Sequence, residues 1–236
     1  TQVGKLTTEQ VSVLETRDVA VLSSEQLGAL STEQVVALGS ERVSAITVEA
    51  LVGFGTDAIV ALESDQVRAL TTDQLNTLSS DNVRAIETGD LRALRTENLS
   101  QLKTESVAAL SSDQVAALTT EQVVGLGTEQ VKALTSEQVG KLTTEQVSVL
   151  ETRDVAVLSS EQIRGLSTEQ VVALGSERVS AITTEALVGF GTDAIVALES
   201  DQVRALTISQ LNTLSSARVR AIETGDLRAL RTENLS

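Results

Sequence analysis

The stretch Leu142-Thr143-Thr144-Glu145-Gln146-Val147-Ser148-Val149, closed by Leu150, carries the reading of the whole chain. A leucine is followed by two hydroxyl residues, an acid, a glutamine and a valine, and eight residues later leucine returns. Stepping by eight from Leu6 gives Leu14, Leu22, Leu30, Leu38, Ile46, Phe54, Leu62 and Leu70, and the column runs unbroken to Leu230. A second apolar column passes through Val3, Val11, Val19, Leu27 and Val35 and ends at Leu235. A fixed period of this kind identifies a repeat architecture in which each unit is one small structural element that cannot bury its apolar face alone.

The chemistry of the octad selects the element. The residue before the acid is Ser or Thr in 27 of 29 octads from Thr8 to Thr232, and the next is acidic in 23 of 29. A hydroxyl there can accept a hydrogen bond from the free N–H groups that open a helix, and an acid beside it complements the positive end of the helix dipole. The position before the hydroxyl varies but includes Gly39, Gly55, Gly127, Gly175 and Gly191. Glycines there fit a chain leaving a helix through a left-handed residue. Each octad therefore reads as a hydroxyl cap at Thr8 or Thr144, about six helical residues and a one-residue corner. Val11 and Leu14 are three apart and share a face, and the small column between them (Ala29, Ala37, Ala45, Gly53) leaves room for a neighbouring backbone.

Six residues are too few for an isolated helix, so stacking must hold the array. A single long helix is excluded because eight residues advance about 80° past two turns and would wind the leucines around the cylinder. A β-solenoid is the remaining rival, opposed by the helix-forming run Glu-Gln-Val-x-Ala-Leu and by the opposite faces on which Leu6 and Val11 would fall in a strand. The expected fold is all-α: a solenoid of very short capped helices, one per octad, over residues 1–236, read as a fragment of a longer array. Residues 2–100 recur as 138–236 with eight differences in 99 positions, an offset of 136 residues or seventeen octads. Seventeen is not a multiple of two, three or four, so the octads must be nearly equivalent in the coil.

Composition narrows function. With 236 residues, 33 acidic and 18 basic side chains, the net charge is -15, and there is no His, Cys, Trp, Tyr, Met or Pro. The usual general base, the thiolate nucleophile and the commonest transition-metal ligand are thus missing, and Lys5, Lys103, Lys132 and Lys141 form no recognisable catalytic pair. We expect no enzyme and no cofactor. The acidic balance disfavours nucleic acid as a partner, and no apolar run is long enough for membrane insertion. Gly53-Phe54-Gly55-Thr56-Asp57 lacks the context of a phosphate loop or a calcium-binding β-roll, and its residues are explained by their octad columns. The acidic rail could offer oxygen ligands to calcium, although helix starting accounts for it.

Arginines concentrate as Arg84, Arg92 and Arg95, repeated as Arg220, Arg228 and Arg231 with Arg218 added. They form either a solvated face or a docking patch for an acidic partner or for the opposite end of another array.

Two resemblances follow. Leu30-Ser31-Thr32-Glu33-Gln34-Val35-Val36-Ala37-Leu38 resembles the opening of a transcription-activator-like effector repeat, L-T-P-E-Q-V-V-A-I, which implies a short helix beginning at Thr32. The 34-residue period, second helix and base-reading pair of that family are absent from this chain. The array as a whole resembles octapeptide repeats of large bacterial secreted or surface proteins, which implies an extracellular or cell-surface spacer or interaction rod. The expected function is a structural rod that sets distance and presents a surface. Its alternatives are a module binding a protein or calcium, self-association through array ends and, more remotely, a mimic of nucleic-acid charge.

Overall fold

The computed structural model describes residues 2–222; Arg228 and Arg231 lie outside the described residues. The chain divides into two compact units, Thr1–Gly125 and Leu126–Ser236.

In both units each described octad builds one short helix, the first of them, Val3–Lys5, a 3-10 turn. Helices begin at Thr8, Thr16, Ser24 and Thr32 and, in the second unit, at Thr128, Ser136, Thr144 and Thr152, in step with the sequence period. Most run four to six residues, such as Thr72–Thr77 and Ser136–Lys141. No strand occurs among the described residues, so the all-α solenoid reading holds and the β-solenoid alternative falls. The helix foreseen from the effector-repeat likeness does begin at Thr32.

The cap and corner differ from the sequence expectation. The capping residue is not the constant hydroxyl but the residue before it: Thr71, in extended backbone (φ -78°, ψ 161°), accepts a hydrogen bond from the Gln74 N–H through its side chain. Thr72 is already helical and occupies the first helical position, where its own hydroxyl no longer faces the third amide. The corner is also two residues long. Leu70 (φ -56°, ψ 134°) donates its N–H to the Val67 carbonyl and turns the chain out of one helix, and Thr71 turns it into the next.

The corner glycines are likewise of two kinds. Gly39 (φ 65°) and Gly175 (φ 66°) are left-handed, as expected, whereas Gly55, Gly127 and Gly191 have φ between -72° and -81° and stand in the ordinary capping position. Between Thr32 and Ala45 two octad helices meet end to end, joined across the kink at Gly39.

Within each unit, helices pack on the third one along. In the first unit Thr8–Ser12 lies against Thr32–Ala45, Val48–Leu51 against Thr72–Thr77, and Thr96–Ser100 against Thr120–Val124. In the second, Ser136–Lys141 lies against Ser160–Arg164 and Thr184–Leu187 against Ile208–Thr213. The core of each unit is the two apolar columns: Val67, Leu70, Val203 and Leu206 are buried, as are Phe54 and Phe190 in the leucine column. The small column does what its size foretold. A Cβ added at Gly53 would meet the Ser24 carbonyl and one at Gly189 the Ser160 carbonyl, so backbones of stacked helices nearly touch there.

Candidate interaction surface

A side chain to which the octad pattern gave no role ties the stack together. Gln74 is 1% exposed and bonds in two directions. Its Oε1 accepts the Thr71 N–H (2.8 Å) while the Thr71 hydroxyl accepts the Gln74 N–H (3.2 Å), which completes a reciprocal capping box. Its Nε2 then donates to the carbonyls of Val43 (2.9 Å) and Ile46 (2.7 Å), the open C-terminal end of the octad helix four octads back. One amide thus satisfies a free N–H at the start of its own helix and two carbonyls at the end of another. Gln114 and Gln122 in the first unit, and Gln162 and Gln210 in the second, repeat the pattern. The signal was visible as an amide, Gln or Asn, in 17 of 29 octads immediately before the second apolar column. Its meaning was hidden because a capping box written with Gln differs from the better-known one with Glu only in having a donor to spare.

Substitutions in that column show what each half is worth. Asn82 and Asn98 reach one carbonyl, Phe54 O (2.9 Å) and Leu70 O (2.7 Å), and close no capping box. Arg42 and Arg178 each donate Nε to a carbonyl 28 residues back, Leu14 O and Leu150 O (both 2.5 Å). A guanidinium has no acceptor for a capping N–H. Among the described residues it is in these two octads that the corner is a left-handed glycine, Gly39 or Gly175, and the arginine's Nη1 donates to the carbonyl of the residue before that glycine, Leu38 or Leu174.

Acids at the second helical position face solvent. The carboxyls of Glu33, Glu169 and Glu185 are held below their ordinary value, first by their own backbone N–H and then by hydroxyls, Ser31 for Glu33, Ser167 for Glu169 and Thr184 for Glu185. Among the described residues no group of three or more acidic side chains converges to form a cation site.

Beside each arginine-glycine octad the surface opens into a shallow groove. The first, about 640 Å³, is bordered by Ser40, Glu41, Asp65, Arg68 and Arg95. The second, about 460 Å³, has the corresponding Ser176, Glu177, Asp201 and Arg204.

The predicted arginine patch is only partly a unit. Arg84 lies at the surface but donates Nε to Ala109 O (3.0 Å), and Arg218 donates Nη2 to Val188 O (3.0 Å), so both are engaged in stacking. Arg92, Arg95 and Arg220 are exposed. No helix among the described residues is long and apolar enough to cross a membrane.

These features define the chain as a tandem-repeat solenoid whose unit is Leu, capping residue, hydroxyl, acid, Gln, Val. It belongs to the ALTTAQ repeat family, whose pattern matches residues 11–48, 43–80, 83–120, 116–144, 147–184 and 179–208. Ala117-Leu118-Thr119-Thr120-Glu121-Gln122 carries the family's letters with Glu in place of the second Ala. No curated protein matches the chain.

Proposed function

We propose that the array is a non-catalytic structural rod that sets the distance between what lies on either side of it and presents a repetitive acidic surface. The observation that carries this reading is the repetition of one stacking device, the glutamine bridging to the helix four octads back, at Gln66, Gln74, Gln114 and Gln122 and again at Gln162, Gln170, Gln202 and Gln210. A device satisfied locally and repeated identically lets length change without redesign of a core, which suits a spacer. The open, shallow grooves fit the same reading, since small-molecule sites are ordinarily concave and enclosed. The bacterial secreted or surface setting suggested by the octad resemblance belongs to this proposal, as does the absence of catalysis.

The test is length scaling. Versions of the chain with six, twelve and eighteen octads added should show, in small-angle X-ray scattering, a maximum dimension that grows in proportion to octad number at constant cross-section. A maximum dimension that saturates would sink the proposal. A second reading, a protein-binding module, is favoured by exposed Arg92 and Arg95, which take part in no ion pair among the described residues. It predicts that R92E/R95E abolishes capture of a partner without changing the scattering profile.

A further inference from the structure

The glutamine column is interrupted by alanine at Ala50 and Ala58 in the first unit and at Ala186 and Ala194 in the second. The four positions are of two kinds. Ala50 and Ala186 are buried, and backbones approach closely beside them at Gly53 and Gly189. Ala58 and Ala194 are only half-buried. The leucines 28 residues before them, Leu30 and Leu166, are half-buried too, although Leu62, Leu70, Leu198 and Leu206 of the same column are buried. In the first unit the opening is a notch of about 360 Å³ bordered by Leu27, Leu30, Gly55, Asp57 and Ala58. Its counterpart lies inside the stack of the second unit. The helices on either side of Leu166 are each packed on both faces, Ser160–Arg164 between Ser136–Lys141 and Thr184–Leu187, and Thr168–Ala173 between Thr144–Val149 and Thr192–Val196.

In other octads a carboxamide fills this place. Gln162 Oε1 accepts the Ser159 N–H (2.8 Å), and its Nε2 donates to the carbonyls 31 and 28 residues back, Val131 (3.1 Å) and Leu134 (2.7 Å). A glycine in the capping position leaves the arrangement intact. The Gly127 N–H donates to Gln130 Oε1 (2.8 Å), and that oxygen is what a Cβ added at Gly127 would meet, whereas a Cβ added at Gly55 or Gly191 would meet nothing within 4 Å. With alanine in the column the same backbone groups have no protein partner: the N–H groups of Gly55 and Ala58 and the carbonyl of Leu30, and equally those of Gly191, Ala194 and Leu166. Donors at one side of the notch thus face an acceptor at the other. A primary carboxamide carries both an acceptor oxygen and a two-hydrogen donor. A carboxylate has no donor for the Leu30 carbonyl and would meet Asp57, and an ammonium group has no acceptor for the Gly55 N–H.

We infer that the notches at Ala58 and Ala194 bind a primary carboxamide from outside the chain, one in each unit, in the place that the chain's own glutamine occupies in other octads. The ligand oxygen accepts the Gly55 N–H and its NH2 group donates to the Leu30 carbonyl, with Gly191 and Leu166 in the same roles in the second unit. The ligand class is a glutamine-like side chain, carried either by the free amino acid or by a partner polypeptide. This inference does not rest on the spacer reading, since a rod of any length can carry such notches.

The test is a titration of the full chain, labelled with 15N at its 14 glycines, followed by heteronuclear NMR with the Gly55 and Gly191 peaks assigned through G55S and G191S. Propionamide should move both peaks saturably. Propionate and N,N-dimethylpropionamide, which lack the donor, should bind at least about tenfold more weakly. In A58Q the chain supplies its own carboxamide, so the Gly55 peak should start near its ligand-bound position and stop responding, while Gly191 responds as before. Free glutamine and N-acetylglutamine methylamide, titrated in parallel, separate the two sources: a stronger response to the first assigns the notch to the free amino acid, and to the second, to a glutamine within a polypeptide. Glycine peaks that do not move in the unaltered chain overturn the inference. So do equal responses to propionamide and N,N-dimethylpropionamide, or a Gly55 peak that still titrates in A58Q.

Discussion

Gln74 concentrates three hydrogen bonds on one buried amide, and its loss would leave the Thr71 N–H and the carbonyls of Val43 and Ile46 without it. Q74A should therefore destabilise the fold by about 2–4 kcal/mol, whereas Q74N, which keeps one carbonyl as Asn82 and Asn98 do, should cost roughly half as much. Urea titration followed by circular dichroism at 222 nm checks both, and equal effects would refute the division of labour. The corner glycines give a second residue-scale prediction. G39A forces a β-carbon into left-handed backbone and should cost about 1–2 kcal/mol. G55S places a capping hydroxyl at an ordinary φ of -80° with open space around the new Cβ, and should stabilise by a few tenths to about 1 kcal/mol in the same titration. Nothing in the letters Leu38-Gly39 and Phe54-Gly55 separates the two cases; what sets the first apart is Arg42, which donates Nη1 to the Leu38 carbonyl just before the glycine, whereas Ala58 stands in the corresponding place after Gly55. That coupling between positions three apart is a tertiary fact, and the octad pattern taken column by column does not contain it.

At the scale of the helix, the period and the spacing of apolar residues were enough to read one short helix per octad, its Val-Leu face and its need for neighbours. The cap stands one residue earlier than expected because two hydroxyl columns lie side by side and both are acceptable near a helix start. Only backbone angles distinguish Thr71, extended, from Thr72, helical. The stacking partner was not legible either, since an eight-residue period says that units are alike and leaves open how many make a coil. Two predictions belong here. Removing the whole octad Ser112–Thr119 keeps every column in phase and should leave a folded, helical array, while removing Ser112 alone puts downstream glutamines out of reach of their carbonyls and should broaden or abolish cooperative melting by calorimetry. The second concerns acid. Because Glu33, Glu169 and Glu185 hold their protons less tightly when folded, the unfolded chain takes up more protons as pH falls. Their contribution is present above the ordinary carboxylate range and is lost as pH drops through the lowered folded values, so the melting temperature should decline below about pH 4.5. The triple variant E33Q/E169Q/E185Q should decline less steeply; an identical slope would show that these helix-start carboxylates do not contribute.

Each unit is held by packing between a helix and the third one along and by side-chain hydrogen bonds to the helix four octads away. Stability in such an array is a sum of unit and interface terms, so melting temperature should rise with the number of octads and then level off. Chains of nine, eighteen and twenty-seven octads compared by thermal circular dichroism would check this, and a melting temperature independent of length would indicate a core of another kind.

Stacking that joins a helix to those three and four octads away, set beside a duplication of seventeen, has a consequence for inheritance. Seventeen is a multiple of neither three nor four, so the copied block did not consist of complete stacking intervals, and yet Gln210 bridges to Val179 and Ile182 just as Gln74 does to Val43 and Ile46. Misaligned recombination within the gene therefore yields a foldable product whenever it moves a whole number of octads, whatever that number is, and the length of the array is free to drift between generations while its wall stays the same.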